Sequence, residues 1–203
     1  MKLNTNLKTN RDRAALAVIG AALMLSFLTT ARTEAKPDAT AVHAPIVFSG
    51  GHDTDPQDRG RPVVLVAGAL GVPTDVFREA FRHVHPAPAG TAPNQEDVRR
   101  NKQALLDALG PYGITNERLD EVSNYYRYVR SRGEMWPVQS AEGYALVKKG
   151  VVVGYVVTNG GSGYSSAPIV SVPSIPSASA AATLTFSKDF DRNGAISAVT
   201  VVR

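Results

Sequence analysis

The chain has 203 residues, no cysteine and a formal net charge of +4. It therefore has no disulfide framework, no thiolate nucleophile and no cysteine metal site. Residues 1–35 hold five of its 22 Lys/Arg and two of its 18 Asp/Glu, leaving seventeen against sixteen in residues 36–203. That near-neutral remainder has no overall electrostatic drive toward nucleic acid or anionic lipid.

The first segment reads as an address. Lys2, Lys8, Arg11 and Arg13 precede an uncharged apolar run over residues 14–28, and small or polar residues follow, ending in Thr29-Thr-Ala31 and Glu34-Ala35. This is the layout of a cleavable signal peptide over 1–35. The run is shorter than the roughly 20 residues a spanning helix needs. The expected location is therefore secreted or periplasmic in a bacterium, with no membrane span after cleavage. Residues 36–57, rich in Ala, Pro, Gly, Asp and Thr without sustained periodicity, predict a flexible arm or linker.

From residue 58 the apolar spacing becomes helical. Val63-Val-Leu-Val-Ala-Gly-Ala-Leu70, bracketed by Pro62 and Gly71, predicts a short buried helix. Thr74 is placed to cap a second helix carrying Val76, Phe77, Ala80, Phe81 and Val84, which Pro86-Ala-Pro-Ala-Gly90 breaks. Asn94 caps a third, with Glu96 and Asp97 opposing the helix dipole. Its stripe is Val98, Leu105, Leu106 and Leu109, and Gly110-Pro111 ends it. Thr115 caps a fourth with Leu119, Val122 and Tyr126. Short connections and repeated caps predict a small helical bundle over 58–132.

Residues 133–142 read as a linker, after which the period changes to two. Residues 144–147, 151–158, 169–172, 182–186 and 195–202 predict five strands of a small antiparallel β domain over 143–203. Its turns are Lys149-Gly150, residues 159–163, the Pro/Ser/Ala stretch 173–181 and Asn193-Gly194. Asn-Gly between apolar strands predicts a two-residue hairpin turn, whose central residues both need positive φ. The fold class is α+β.

Part of the β region repeats. Gly150-Val-Val-Val-Gly-Tyr-Val-Val-Thr158 resumes about 44 residues later as Gly194-Ala-Ile-Ser-Ala-Val-Thr-Val-Val202. The run Val156-Val-Thr-Asn-Gly-Gly-Ser-Gly-Tyr-Ser-Ser-Ala-Pro-Ile-Val-Ser-Val172 resembles a β-repeat unit of bacterial exported proteins and phage structural proteins. Gly60-Arg-Pro-Val-Val-Leu65, residues 115–128 and Gly133-Glu-Met-Trp136 are similar to exported bacterial proteins of uncharacterised function. The resemblance implies secretion, a surface or structural context and a β domain of repeat type. It brings no catalytic residues with it. The second unit stops before any Asn-Gly-Gly-Ser-Gly-Tyr, which favours a closed small domain over an extended solenoid.

Motifs for chemistry are sparse. Gly160-Gly-Ser-Gly163 lacks the lysine and following helix of a phosphate loop and reads as a turn with Tyr164 packed over the sheet. Neither G-x-S-x-G nor H-E-x-x-H occurs. Of the four histidines, His43 and His52 fall in the arm, while His83 and His85 with Glu79 offer a zinc-like H-x-H at a helix end, where exposed histidine is also ordinary. Asp189-Phe-Asp-Arg-Asn-Gly194-Ala-Ile196 matches the first half of a calcium loop. Its ligands would be Asp189, Asp191, Asn193 and the Ala195 carbonyl, but position 12 is Thr200 in place of glutamate. The same residues read as a plain hairpin with solvated aspartates. Asp53-Thr-Asp55-Pro-Gln-Asp58 is a second acidic cluster. Tyr125, Arg127, Tyr128, Arg130 and Trp136 form the densest aromatic-basic stretch and suit an extracellular glycan, or else Tyr126 and Trp136 pack between the two regions with the arginines on a solvated helix end.

The sequence thus points to an exported, non-catalytic structural or interaction module, with a protein or extracellular glycan as partner and no nucleic acid. Calcium is the one cofactor it offers. Two further readings stand beside this one: a weak calcium-binding module, and an enzyme acting on extracellular polymers.

Overall fold

Among the described residues four α-helices follow the apolar spacing, and a side-chain cap opens two of them. The computed structural model describes residues 41–85, 91 and 94–202, so the expected signal segment 1–35 and the helix break at 86–90 lie outside the described residues. Helix α1 is Val63–Leu70, α2 Thr74–Arg82, α3 Gln95–Leu109 and α4 Asn116–Tyr125. Asn94 Oδ1 accepts from the Asp97 N–H at 2.7 Å, and Thr115 Oγ1 accepts from the Arg118 N–H at 3.2 Å. Each side chain satisfies one backbone donor that the first helical turn leaves free. Thr74 does not cap α2: Pro73 holds the cap position and Thr74 is the first helical residue.

The helices share one core. Leu65 and Leu70 of α1, Leu109 of α3 and Val122 of α4 are fully buried together, with Phe77 and Ala80 of α2 beside them. Val98, expected in the buried stripe of α3, is 49% exposed. The first turns of α3 extend beyond the neighbours that cover Leu109, so spacing alone overstates the length of its buried face. Lys102 Nζ meets Asp120 at 2.7 Å and links α3 to α4 across the surface.

Among the described residues seven strands make three small antiparallel sheets. Strands β1 (Val42–Pro45), β3 (Glu142–Lys148) and β4 (Val151–Asn159) pair in the order β1-β3-β4. Strand β2 (Val47–Ser49) pairs with β5 (Ile169–Ser171), and β6 (Ala180–Thr185) pairs with β7 (Ala195–Val201). The fold is mixed α+β. Lys149 and Gly150 join β3 to β4 with φ of 52° and 79°, the left-handed pair that a tight hairpin requires.

Two expectations are corrected. Residues 42–45 and 47–49, read as arm, are strands. Their partners lie about a hundred residues away, with Val42 opposite Val147 and Val47 opposite Ser171. Ile46, between the two strands, packs into two of the β-region clusters at once. Pro45 is tolerated because β1 is an edge strand. The second correction concerns Asn193-Gly194. Thr185 pairs with Ala195, so residues 186–194 form a long connection. Gly194 has φ of 70°, whereas Asn193 is not among the positive-φ residues. A two-residue turn at these positions is therefore absent, and Asn193 points inward instead.

Residues 37–203 fall within one compact unit, and the β6–β7 connection reaches the helices. Phe190 packs into the helical core. Arg118 Nη2 donates to Lys188 O at 2.6 Å and to Ala69 O at 2.7 Å, so one guanidinium holds both the connection and a free carbonyl near the end of α1.

Gly68 makes this approach feasible. A Cβ there would lie 2.6 Å from Asn193 Oδ1 and 2.8 Å from Phe186 Cβ. On propensity alone, Gly68→Ala should stabilise α1 by about 1 kcal/mol. The expected outcome is a net loss of about 1–3 kcal/mol from overpacking, read as a lower denaturant midpoint.

Candidate functional site

The β6–β7 connection carries the calcium-like motif, and its polar groups are committed to the fold. Ser187 Oγ accepts from the Asp189 N–H, and Asp189 Oδ1 accepts from the Asp191 N–H at 3.1 Å. Two local side-chain turns thus shape the loop. Asp191 Oδ1 accepts from Gln139 Nε2 at 3.3 Å. Both aspartates are exposed, whereas Asn193 is fully buried.

Asn193 turns away from them. Its Nδ2 donates to Leu65 O at 2.6 Å and to Tyr126 Oη at 2.7 Å, and its Oδ1 accepts from the Ser187 N–H at 3.0 Å. Its backbone carbonyl accepts from the Gly163 N–H at 2.8 Å, and the next carbonyl, Gly194 O, accepts from the Tyr164 N–H at 3.0 Å. The Gly160–Gly163 loop is therefore pinned by backbone bonds to this connection. Ala195 is the first residue of β7. Of the expected set of Asp189, Asp191, Asn193 and Ala195, the Asn193 amide is engaged inside the fold while the two aspartates are exposed. Among the described residues no group of three His, Asp or Glu side chains could hold a metal ion.

The rings of the aromatic-basic stretch make contacts inside the fold. Tyr125 stacks on Phe190 with centroids 4.0 Å apart, and Tyr126 meets both rings edge-on. Tyr128 donates its hydroxyl to Gly60 O and lies edge-on to Trp136. Trp136 is buried and donates Nε1–H to Gly163 O at 2.8 Å. Tyr125, Tyr128 and Trp136 thus have their rings engaged within the fold, and Arg127 and Arg130 are exposed.

The histidines are dispersed. His43 stacks on Tyr144 and His52 on Tyr164, whose hydroxyl accepts from the Ala141 N–H at 3.0 Å. His83 and His85 are exposed. The acidic cluster 53–58 is structural. Asp58, 2% exposed, receives Arg78 Nε on Oδ1 at 2.8 Å and Nη2 on Oδ2 at 3.0 Å, while Asp55 accepts from the Gln57 N–H. This two-point bond docks the turn Pro56–Asp58 on α2.

Beside that pair lies a group the sequence reading missed. Arg59, Arg61, Arg78 and Arg82 line a cleft of about 360 Å³, with Asp58 at its base and Phe81 in its wall. Its arginines come from two places, residues 59 and 61 around Gly60 and residues 78 and 82 one helical turn apart on α2. The i,i+4 pair was a visible signal. Its convergence with Arg59 and Arg61 was not, because the Asp58–Arg78 bond creates it. No family model, no curated protein and no solved structure matches the chain.

Two outcomes follow from the Asn193 geometry. Calcium at several millimolar should leave the melting temperature unchanged. Asn193→Ala should cost about 3 kcal/mol by orphaning buried partners, read by denaturant titration. The Tyr126 hydroxyl gives a pH signature. Burial pushes it up to about 12, against the lowering effect of its bond with Asn193. The unfolded chain's tyrosines ionise near about 10. Between those two values the unfolded state binds fewer protons than the folded state, so stability is complete below pH 10 and falls as pH rises toward 12. Burial also raises Tyr125 and Tyr155. Tyr126→Phe should therefore remove part of the alkaline loss in a melting series, leaving a smaller slope.

Proposed function

We propose that this chain is an exported, non-catalytic structural or interaction module, with a signal segment over 1–35, a small helical bundle and a β domain of repeat type. One observation carries the reading: the Asn193 amide and the aromatic rings of its most conspicuous motifs are spent inside the fold. Asn193 joins Leu65 to Tyr126, and Trp136 joins its segment to Gly163. A motif used this way fixes the relation of helices to sheets and leaves an outer surface to meet a partner. Among the described residues no helix is long and apolar enough to cross a membrane, consistent with the absence of a membrane span. The resemblance of residues 156–172 to repeat units of exported proteins supports the same reading.

The test uses the full-length gene expressed in a bacterium. Intact mass of the exported protein should show loss of the first 31 to 35 residues, from cleavage after Ala31 or Ala35. Incubation with extracellular polysaccharides should give retention without release of reducing ends. Full-length chain recovered in the membrane fraction would overturn export, and polymer turnover would overturn the non-catalytic reading.

A further inference from the structure

The cleft beside α2 contains two cations that the fold leaves uncompensated. Asp58 offers two carboxylate oxygens, and Arg78 occupies both. Arg82 pairs with Glu79 at 2.8 Å. Arg61 and Arg59 form no ion pair among the described residues, although both line the same cleft. Arg61 is half-buried, its guanidinium lies 4.3 Å from the centroid of Phe81, and its Nε is buried without a hydrogen-bond partner. Burial draws this guanidinium below its ordinary value, with Asp58 acting in the opposite direction.

A half-buried guanidinium loses water and, without a partner, regains little. Its contact with Phe81 holds the guanidinium at the cleft that Arg61 lines, with the Nε donor unmet. Asp58 already accepts from Arg78 on both oxygens, and Arg61 makes no ion pair with it. The missing component is an external acceptor with several oxygens. Arg59 reaches the same space from the preceding turn, where its φ of 52° departs from ordinary side-chain-bearing backbone. Phe81, Val63 and Val84 supply apolar wall beside the charges.

We propose that this cleft binds an oxyanion, a carboxylate or a phosphate carried by a sugar-sized molecule, held by Arg61 and Arg59 with its apolar face against Phe81 and Val84. The proposal rests on the interaction-module reading and gives that module a ligand class. Its failure would leave the processing and turnover measurements above untouched, so the two can fail separately.

Isothermal titration of the purified protein separates the sources with three probes: inorganic phosphate, glucuronate and a neutral methyl glucoside. Saturable binding of phosphate, glucuronate or both is expected, with a dissociation constant of about 1 mM for a few charge-assisted bonds. The neutral glucoside should give no heat. Glucuronate alone would assign carboxylated sugars, phosphate alone phosphorylated ones, and each supports the site. Arg61→Gln should weaken binding at least about tenfold, and Arg59→Gln several-fold, by loss of charge-assisted bonds. Arg127→Gln, an exposed arginine outside the cleft, should leave it unchanged. Melting of Arg61→Gln at or above the parent temperature confirms that the variant is folded. Absence of saturable binding by both oxyanions, equal binding of the neutral glucoside, or unchanged affinity in a folded Arg61→Gln would each overturn the proposal.

Discussion

Asn193 is the bond on which the arrangement depends. One amide reaches a helix carbonyl at Leu65, a helix-end hydroxyl at Tyr126 and its own loop at Ser187. Its backbone meanwhile ties the Gly160–Gly163 loop through Gly163. A buried amide with every polar atom bonded has one geometry in which it is satisfied. The helices can slide over the β region only by leaving three partners unpaired. Apolar burial supplies most of the attraction but little direction, so this polar junction selects one docking from many that would bury similar area.

The glycines around the junction follow from it. Gly68 lacks a Cβ because Asn193 and Phe186 occupy that space, and Gly194 lacks one because Leu65 Cδ2 and Tyr164 O lie 2.5 Å from where it would stand. Gly194 also needs its φ of 70° to send the chain from the buried Asn193 into β7. Close approach and turn geometry thus come from the same requirement. The outer fastening is Arg118, whose guanidinium bridges Ala69 O and Lys188 O while lying over Phe190. A chain with no cysteine replaces covalent staples with such multi-point bonds, each one modest and all closing on one loop.

Legibility in the sequence followed the range of the interaction. Asn94 and Thr115 were readable as caps because a cap bond spans three residues, and Lys149-Gly150 because its turn is set by local φ. Val42–Pro45 was not readable, since a proline-containing run of four becomes strand only when β3 offers an edge a hundred residues on. Asn193-Gly194 misled for a related reason. Locally it has the composition of a two-residue turn, but the helix carbonyl 128 residues away competes for the amide and wins. The calcium-like pattern loses the Asn193 side-chain oxygen to the same competition, since that amide points into the core. The stretch 125–136 was legible as important, and its aromatic rings proved to face inward.

The arginine cleft shows the converse limit. A buried pair such as Asp58–Arg78 must recover a desolvation cost of several kcal/mol per ion through excellent geometry, and the two-point bond does so by using every oxygen Asp58 has. Arg61 stands beside that pair without an ion pair of its own. In water Arg61 would have no reason to seek a partner, but its position against Phe81 removes part of its hydration. The same bond that satisfies the fold therefore concentrates unsatisfied positive charge a few residues away, in a wall that is partly apolar. Charge balance over the whole of residues 36–203 is nearly even, so composition could not disclose this. It emerges only from which carboxylate each guanidinium reaches first.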